Sequence, residues 1–342
     1  MPEAGSKIDA SPGFLPVAVT CRVGSVTTAD LFFRTRGFVG GLPAAVVLIV
    51  AIVGFGVITG IVSHAESMPE VGRELYRLIS AHGADVWEFL QGQLTQDLEL
   101  LRPTGSLPAA WCNARGRVHA TTRLLRLDDG VGLIVPESML ERVVRQLTLY
   151  RLRADVAFEV SGDDWHAIAV TTAPAAAPGV HAVALAADAP ACEVYGSTAA
   201  LAAAGLDEVE RLSMPAWQAA RIQAGLPDIV PATSELYTPH MLNLDLTGAV
   251  SFNKGCYTGQ EVVARTQNLG RSRRRLLRYQ APDASAGVGD KLVGKDGDVG
   301  TVVNASGADL LAVAPVALRD ETLSINGQPC EPAPLPYEIP QD

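Results

Sequence analysis

A chain of 342 residues with 37 acidic and 27 basic side chains carries a formal net charge of -10 at pH 7, which argues against a bulk electrostatic affinity for nucleic acid while leaving room for a local basic patch. Its length can bury a sizeable core and suits two or three domains, and 32 glycines with 22 prolines suit a loop-rich mixed fold. Five cysteines, at 21, 112, 192, 256 and 330, are odd in number and irregularly spaced, so a reducing compartment is expected rather than a disulfide framework.

From the N-terminus, the first pattern is apolar. Residues 42–62, LPAAVVLIVAIVGFGVITGIV, hold no charge over the length that crosses a bilayer as a helix. Three readings stand open. The segment is a membrane anchor with basic residues before it, which would export the main domain; or a signal sequence cut near Ser63-His64-Ala65; or an upstream extension of a protein that starts at Met68.

Beyond Met68 the pattern is α+β. Leu75–Ile79 reads as a strand. Gly83-Ala84-Asp85 then opens a helix with Val86, Phe89, Leu90 and Leu94 at helical spacing. Strands follow at Leu107–Asn113, Val118–Leu127 and Val131–Val135, the last two separated by an Asp128-Asp129-Gly130 turn. An amphipathic helix covers Met139–Tyr150. This order suggests split β-α-β units of the ferredoxin-like kind. Residues 172–191 show no sustained period and read as a surface connection or degenerate strand region. Helices are expected from Thr198 and from Met214. After Leu276, short apolar runs between glycine turns predict a small β-barrel.

The densest chemistry lies in Lys254-Gly255-Cys256-Tyr257-Thr258-Gly259-Gln260-Glu261, with Arg265 beyond it. Glycines on both sides of the cysteine predict a tight turn that exposes the sulfur. Lys254 and Arg265, if folded back, would favour its thiolate. The competing reading is a buried, inert cysteine in a loop merely shaped by glycines. No second cysteine or histidine stands at metal-ligand spacing.

KGCYTGQEVVART, together with Ala220–Asp228 (ARIQAGLPD), Pro239–Asp245 (PHMLNLD), Phe89–Asp97 (FLQGQLTQD) and Asn113–Val118 (NARGRV), resembles the YgfZ family of folate-binding, iron–sulfur-related proteins, relatives of the glycine cleavage T-protein. The resemblance covers about residues 72–320. It implies an aminomethyltransferase-like folate-binding body at 68–275 and a C-terminal β-barrel at 276–330, between an N-terminal extension, 1–67, and a tail, 331–342. It also implies a cytoplasmic accessory protein for assembly or repair of iron–sulfur enzymes, supporting tRNA modification indirectly. Cys256 would be the key reactive residue, aided by Lys254, Tyr257, Gln260 and Arg265. Tetrahydrofolate would be held by Asn113, Trp217, Arg221 and Gln223. Partners would be folate, iron–sulfur enzymes or assembly proteins, and tRNA, with the membrane a partner only through residues 42–62. One cysteine cannot hold a cluster alone, so metal contact at Cys256 would be transient and no stably bound metal is expected.

Two departures from the relatives limit this. The aminomethyltransferases' paired aspartates fall at Ala120 and Thr121, which cannot accept a proton as a carboxylate does, so aminomethyl transfer by the parent mechanism is not expected. His119 is a substitute base only against the simpler reading of an ordinary strand residue. Gln223 stands where relatives have a glutamate, which weakens the expected hold on folate. A one-carbon transferase remains the enzyme alternative. The other alternative is a tRNA-binding module built on Arg265, Arg271, Arg273, Arg274, Arg275 and Arg278, six arginines within fourteen residues whose forks match phosphate. Successive residues of a strand face opposite sides, so 273–275 cannot act as one surface.

Overall fold

Where it is described, the apolar N-terminal stretch forms strands, not the helix that the membrane-anchor reading requires. β1 (Leu48–Ile52) pairs antiparallel with β2 (Val57–Ile61), Leu48 opposite Ile61. Ile49, Val50, Ile52, Val57, Ile58, Thr59 and Ile61 are β-branched, and such side chains are stiff at χ1 and fit a pleated ribbon better than a helix. The computed structural model describes residues 48–52, 57–61, 75–186, 191–270 and 272–340; the rest of 1–67, including the Ser63-His64-Ala65 site, and Met68 itself lie outside them. Among the described residues no helix is long and apolar enough to cross a membrane. The chain divides into two compact units, Met1–Glu66 and Ser67–Asp342.

The second unit begins with β3 (Tyr76–His82), α1 (Val86–Gln93), α2 (Leu101–Thr104), β4 (Ser106–Cys112), β5 (Val118–Leu127), β6 (Gly130–Pro136), α3 (Leu140–Tyr150) and β7 (Ala157–Val160). Their strands form one antiparallel sheet in the order β4-β5-β6-β3-β7. Read from β7, this is a ferredoxin-like sheet with β4 added at the edge. Alternation along β3 splits its side chains between two cores. Ile79 and Ala81 meet Leu90, Val143 and Leu147 of α1 and α3, and Leu94 just past α1; Tyr76 and Leu78 meet Ala167, Ala169, Tyr195 and Trp217 on the opposite face.

That opposite face is covered by a second sheet, β8 (Trp165–Val170), β9 (Val180–Ala184) and β10 (Cys192–Ser197), ordered β8-β10-β9. β9 lies in the stretch without sustained period; as an edge strand it leaves Ala182 and Ala184 exposed. α4 (Thr198–Ala203) and α5 (Met214–Gln223) follow, each begun by a serine whose hydroxyl accepts from the helix's first turn, Ser197 from Ala200 N and Ser213 from Ala216 N.

α6 (Gln260–Leu269) leads into a closed barrel of β11 (Arg274–Gln280), β12 (Lys291–Gly294), β13 (Gly297–Ser306), β14 (Asp309–Pro315), β15 (Leu323–Ile325) and β16 (Gln328–Ala333), ordered β11-β14-β13-β12-β15-β16. Body and barrel share a core: Cys112 and Val118 of the first sheet and Val263 of α6 pack with Leu276, Val303 and Val313. The tail returns to the body, where the Tyr337 hydroxyl donates to the Gly225 carbonyl at 2.9 Å.

Candidate functional site

Trp217 and Arg221 stand one helical turn apart on α5 and so share a face. Arg221 donates through Nε and Nη2 to both oxygens of Asp228, at 3.1 and 2.9 Å, and through Nη1 to Glu193 Oε1. Glu193 is fully buried on β10. It also accepts from the Trp217 indole at 2.9 Å and the Tyr195 hydroxyl at 2.6 Å, while the Tyr76 hydroxyl donates to Asp228. Burial pushes Glu193 up, but Arg221, Arg123, Tyr195 and Trp217 together hold its carboxyl below the usual value. Burial raises Tyr76 and Tyr195 well above the ordinary phenol, so both are protonated donors at neutral pH.

This network borders an open cleft of about 510 Å³, solvent space at its mouth included, lined among others by Tyr76, Thr121, Arg123, Tyr195, Arg221 and Asp228. Of the four residues expected to hold folate, Arg221 alone belongs to that lining. Trp217 lies behind it, wholly buried. Gln223, two positions past Arg221, faces another side of α5 and donates to Asp309 of the barrel at 3.0 Å. The Asn113 side-chain oxygen accepts from the backbone N–H of Arg115 and Arg117 at 2.9 and 3.0 Å and so shapes the turn after β4. Glu193 and Asp228 were missed in the sequence. Asp228 lies inside the quoted ARIQAGLPD run, where its approach to Arg221 through the Gly225 turn gave a usable signal; Glu193 stands on a strand with nothing local to mark it.

Ala120 and Thr121 leave no carboxylate on this part of β5: Ala120 is buried, and the Thr121 hydroxyl accepts from Ile229 N at 3.2 Å. His119 is 6% exposed, packs its ring tilted against Trp111 with centroids 4.5 Å apart, and has Nδ1 3.0 Å from Glu235. Burial lowers its pKa, with Arg142 adding to that and Glu235 opposing it. His119 is not among the cleft residues.

Cys256 is exposed, on a loop before α6. The expected convergence of cations on it is not found. Lys254 points its ammonium at the end of α1, donating to the carbonyls of Gln91, Leu94 and Gln96 at 2.6, 2.7 and 2.8 Å. Three donors meet three acceptors, although burial draws the Lys254 pKa down to about 8 against the pull of Asp97. Arg265 pairs with Glu261 one turn away on exposed α6. Tyr257 is buried, its hydroxyl pKa raised by burial and by the neighbouring Cys112. Gln260 opens α6, its N–H donating to the Tyr257 carbonyl at 3.1 Å.

The two glycines also differ. Gly259 has φ +85°, and a Cβ there would stand 2.4 Å from the Asn113 carbonyl oxygen. Gly255 has no left-handed φ and open space around it, so only one of the pair is required by the backbone. The loop is therefore held on one side by Lys254 and on the other by Gly259 against the Asn113–Gly116 turn, with the Thr258 N–H donating to the Gly92 carbonyl.

The chain is 28% identical over 310 residues to the tRNA-modifying protein YgfZ of Yersinia pestis (strain Pestoides F), covering 78% of this chain and 92% of that protein. A YgfZ of Colwellia psychrerythraea is 28% identical over 245 residues, 64% of this chain and 74% of its own. An uncharacterized protein of Haemophilus influenzae is 30% identical over 220 residues, 60% of this chain and 71% of that protein. The chain belongs to the YgfZ family. No family model matches it. The fold is that of the glycine cleavage system aminomethyltransferase T from Bartonella henselae, with a TM-score of 0.58 at 17% identity over 78% of this chain and 85% of that one.

Of the six arginines after Cys256 that suggested a tRNA-binding module, three serve the fold. Arg275 is buried against Asp245 at 2.7 Å, Arg278 pairs with Asp309 at 2.8 Å, and Arg274 donates to the Val299 and Val313 carbonyls at 2.9 and 3.2 Å. Arg271 lies outside the described residues. Arg265 and Arg273 are exposed, and alanine at either is expected to change stability by no more than about 0.5 kcal/mol in chemical denaturation. A loss several times larger would show a structural role for these two as well.

Proposed function

We propose that this YgfZ-family protein is a folate-dependent accessory factor for the assembly or repair of iron–sulfur enzymes in a reducing, cytoplasmic compartment, supporting tRNA modification through those enzymes. The observation that carries the reading is the exposed Cys256 on a loop held at both sides, with the segment from Thr247 and Ala249 in the cleft wall running directly into it. A thiol so placed meets a partner without rearrangement of its own loop. Among the described residues no group of three His, Cys, Asp or Glu side chains could hold a metal ion, so the remaining ligands of a cluster contacting Cys256 would come from the client, the cluster being cargo.

The cleft suits a reduced pterin. Tyr76 and Tyr195 supply aromatic walls, and the Asp228 carboxylate, with three donors already on its roughly four lone-pair sites, keeps one for a ring N–H. When bound, tetrahydrofolate supplies a carrier for one-carbon units. The protein's residues bind and orient it, and Thr121 at the position of a relative's aspartate offers no base.

The test is complementation of a strain lacking its own YgfZ-type protein, with iron–sulfur enzyme activity as readout. The full chain is expected to rescue, and Cys256→Ala to lose most of the rescue at equal protein level. Full rescue by Cys256→Ala would reduce the residue to a surface position and remove the reading of the loop.

A further inference from the structure

The polar side chains of the cleft are almost all engaged within the protein. Arg221 has Asp228 and Glu193, Tyr76 has Asp228, and Tyr195 has Glu193. The Thr121 hydroxyl accepts from Ile229 N, and the Thr122 hydroxyl donates to the Ile134 carbonyl at 2.9 Å. Arg123 differs. It lines the cleft, half-buried, and its guanidinium has no hydrogen bond or ion pair among the described residues.

Its position is fixed by register. On β5, Arg123 stands opposite Ile134 of β6 and Pro108 of β4, both in the cleft wall. Its charge is felt by both Glu193 and Tyr195, so it sits beside the carboxylate network without closing onto it. A half-buried guanidinium offers five N–H donors in a fixed plane and accepts nothing. The cleft therefore presents a carboxylate acceptor, Asp228, and a cationic donor, Arg123, to one ligand. A ring edge with N–H donors beside a carbonyl oxygen complements that arrangement.

We infer that Arg123 is the specificity-determining donor of the cleft and reads a ring carbonyl oxygen, so that the cleft selects 4-oxo pterins over their 4-amino analogues. The inference rests on the pterin reading proposed above and adds the discrimination. A site built to hydrogen-bond a ligand group rejects the analogue that lacks it, because the site's own group is left unpaired.

Folic acid and aminopterin differ by oxo or amino at position 4 and with it by a proton on N3, so the Arg123 variants isolate the contact to the oxygen; binding of both to the full chain is measured by fluorescence titration for the unchanged protein, Arg123→Gln and Arg123→Leu. Thermal unfolding of each variant checks that it is folded. The unchanged protein is expected to favour folic acid by about tenfold or more. Both variants should bind folic acid correspondingly more weakly and aminopterin about as before, closing the gap. Equal binding of the two ligands by the unchanged protein overturns the inference and leaves the pterin reading standing. Equal loss of both ligands in folded variants overturns it too, since Arg123 would then shape the cleft without reading the ligand. Binding of neither ligand by the unchanged protein sinks the pterin reading and the inference with it.

Discussion

Replacing Arg221 with methionine is expected to lower the melting temperature by roughly 6 to 15 °C, since breaking a buried ion network costs about 3–5 kcal/mol. The substitution keeps length and removes charge, leaving the wholly buried Glu193 with a hydroxyl and an indole but without the guanidinium that also ties it to Asp228. The pH dependence separates this cause from simple loss of packing. In the unchanged protein the carboxyl of Glu193 is held below its ordinary value, so its contribution is present at neutral pH and is lost as the pH falls through the folded-state pKa. In Arg221→Met the opposing burial dominates and raises the folded pKa above the unfolded one. Protonation then relieves the penalty, and the deficit should shrink between pH 7 and pH 5. Melting curves at the two pH values decide it: the same deficit at both would mean that volume and not charge is the cause.

Alanine at Gly259 should be the most damaging single-atom change in the Cys256 loop, costing roughly 2–4 kcal/mol from left-handed strain and overpacking together. The added methyl would meet backbone, the Asn113 carbonyl at 2.4 Å and the Gly116 Cα at 3.1 Å, and neither can swing aside as a side-chain tip would. The Asn113 turn is itself fixed by that residue's own side chain. Gly255→Ala is the matched control, with open space around it and an expected change within about 0.5 kcal/mol. Denaturant unfolding gives both stabilities, and the rate at which a thiol reagent labels Cys256 reports the position of the loop. Equal effects of the two substitutions would contradict the assigned contact.

The elements that were legible in the sequence are those whose periodicity is local. β5 was expected at Val118–Leu127 and occupies those residues, and the helix expected over Met139–Tyr150 runs Leu140–Tyr150. The barrel was announced by its glycine turns, although it begins at Arg274. Length and lack of charge in 42–62 suit a membrane helix, one of three readings left open, while the β-branched residues of the described stretches 48–52 and 57–61 suit the paired strands found there. At the site, the glycines left an exposed turn and a buried cysteine both open, and Cys256 is exposed. The direction of Lys254 was not legible, because its three acceptors lie about 160 residues away in the chain. Gln223 and Arg221 look equivalent as letters, and only the helical angle between them sends one to the barrel and the other to the cleft.

The grip of Lys254 on the end of α1 also bears on the order in which this protein can be made. The carbonyls it satisfies belong to Gln91, Leu94 and Gln96, and Gln96 is further tied to Gly248 across 152 residues. A ribosome that has finished the first ferredoxin-like sheet has not yet made the residues that close its first helix. The early sheet therefore waits, with part of its backbone unpaired, until the Cys256 loop emerges. Contacts of such separation slow folding, because loop closure precedes any reward. Fragments ending before Lys254 should accordingly rely on chaperones more than the length of the missing segment suggests.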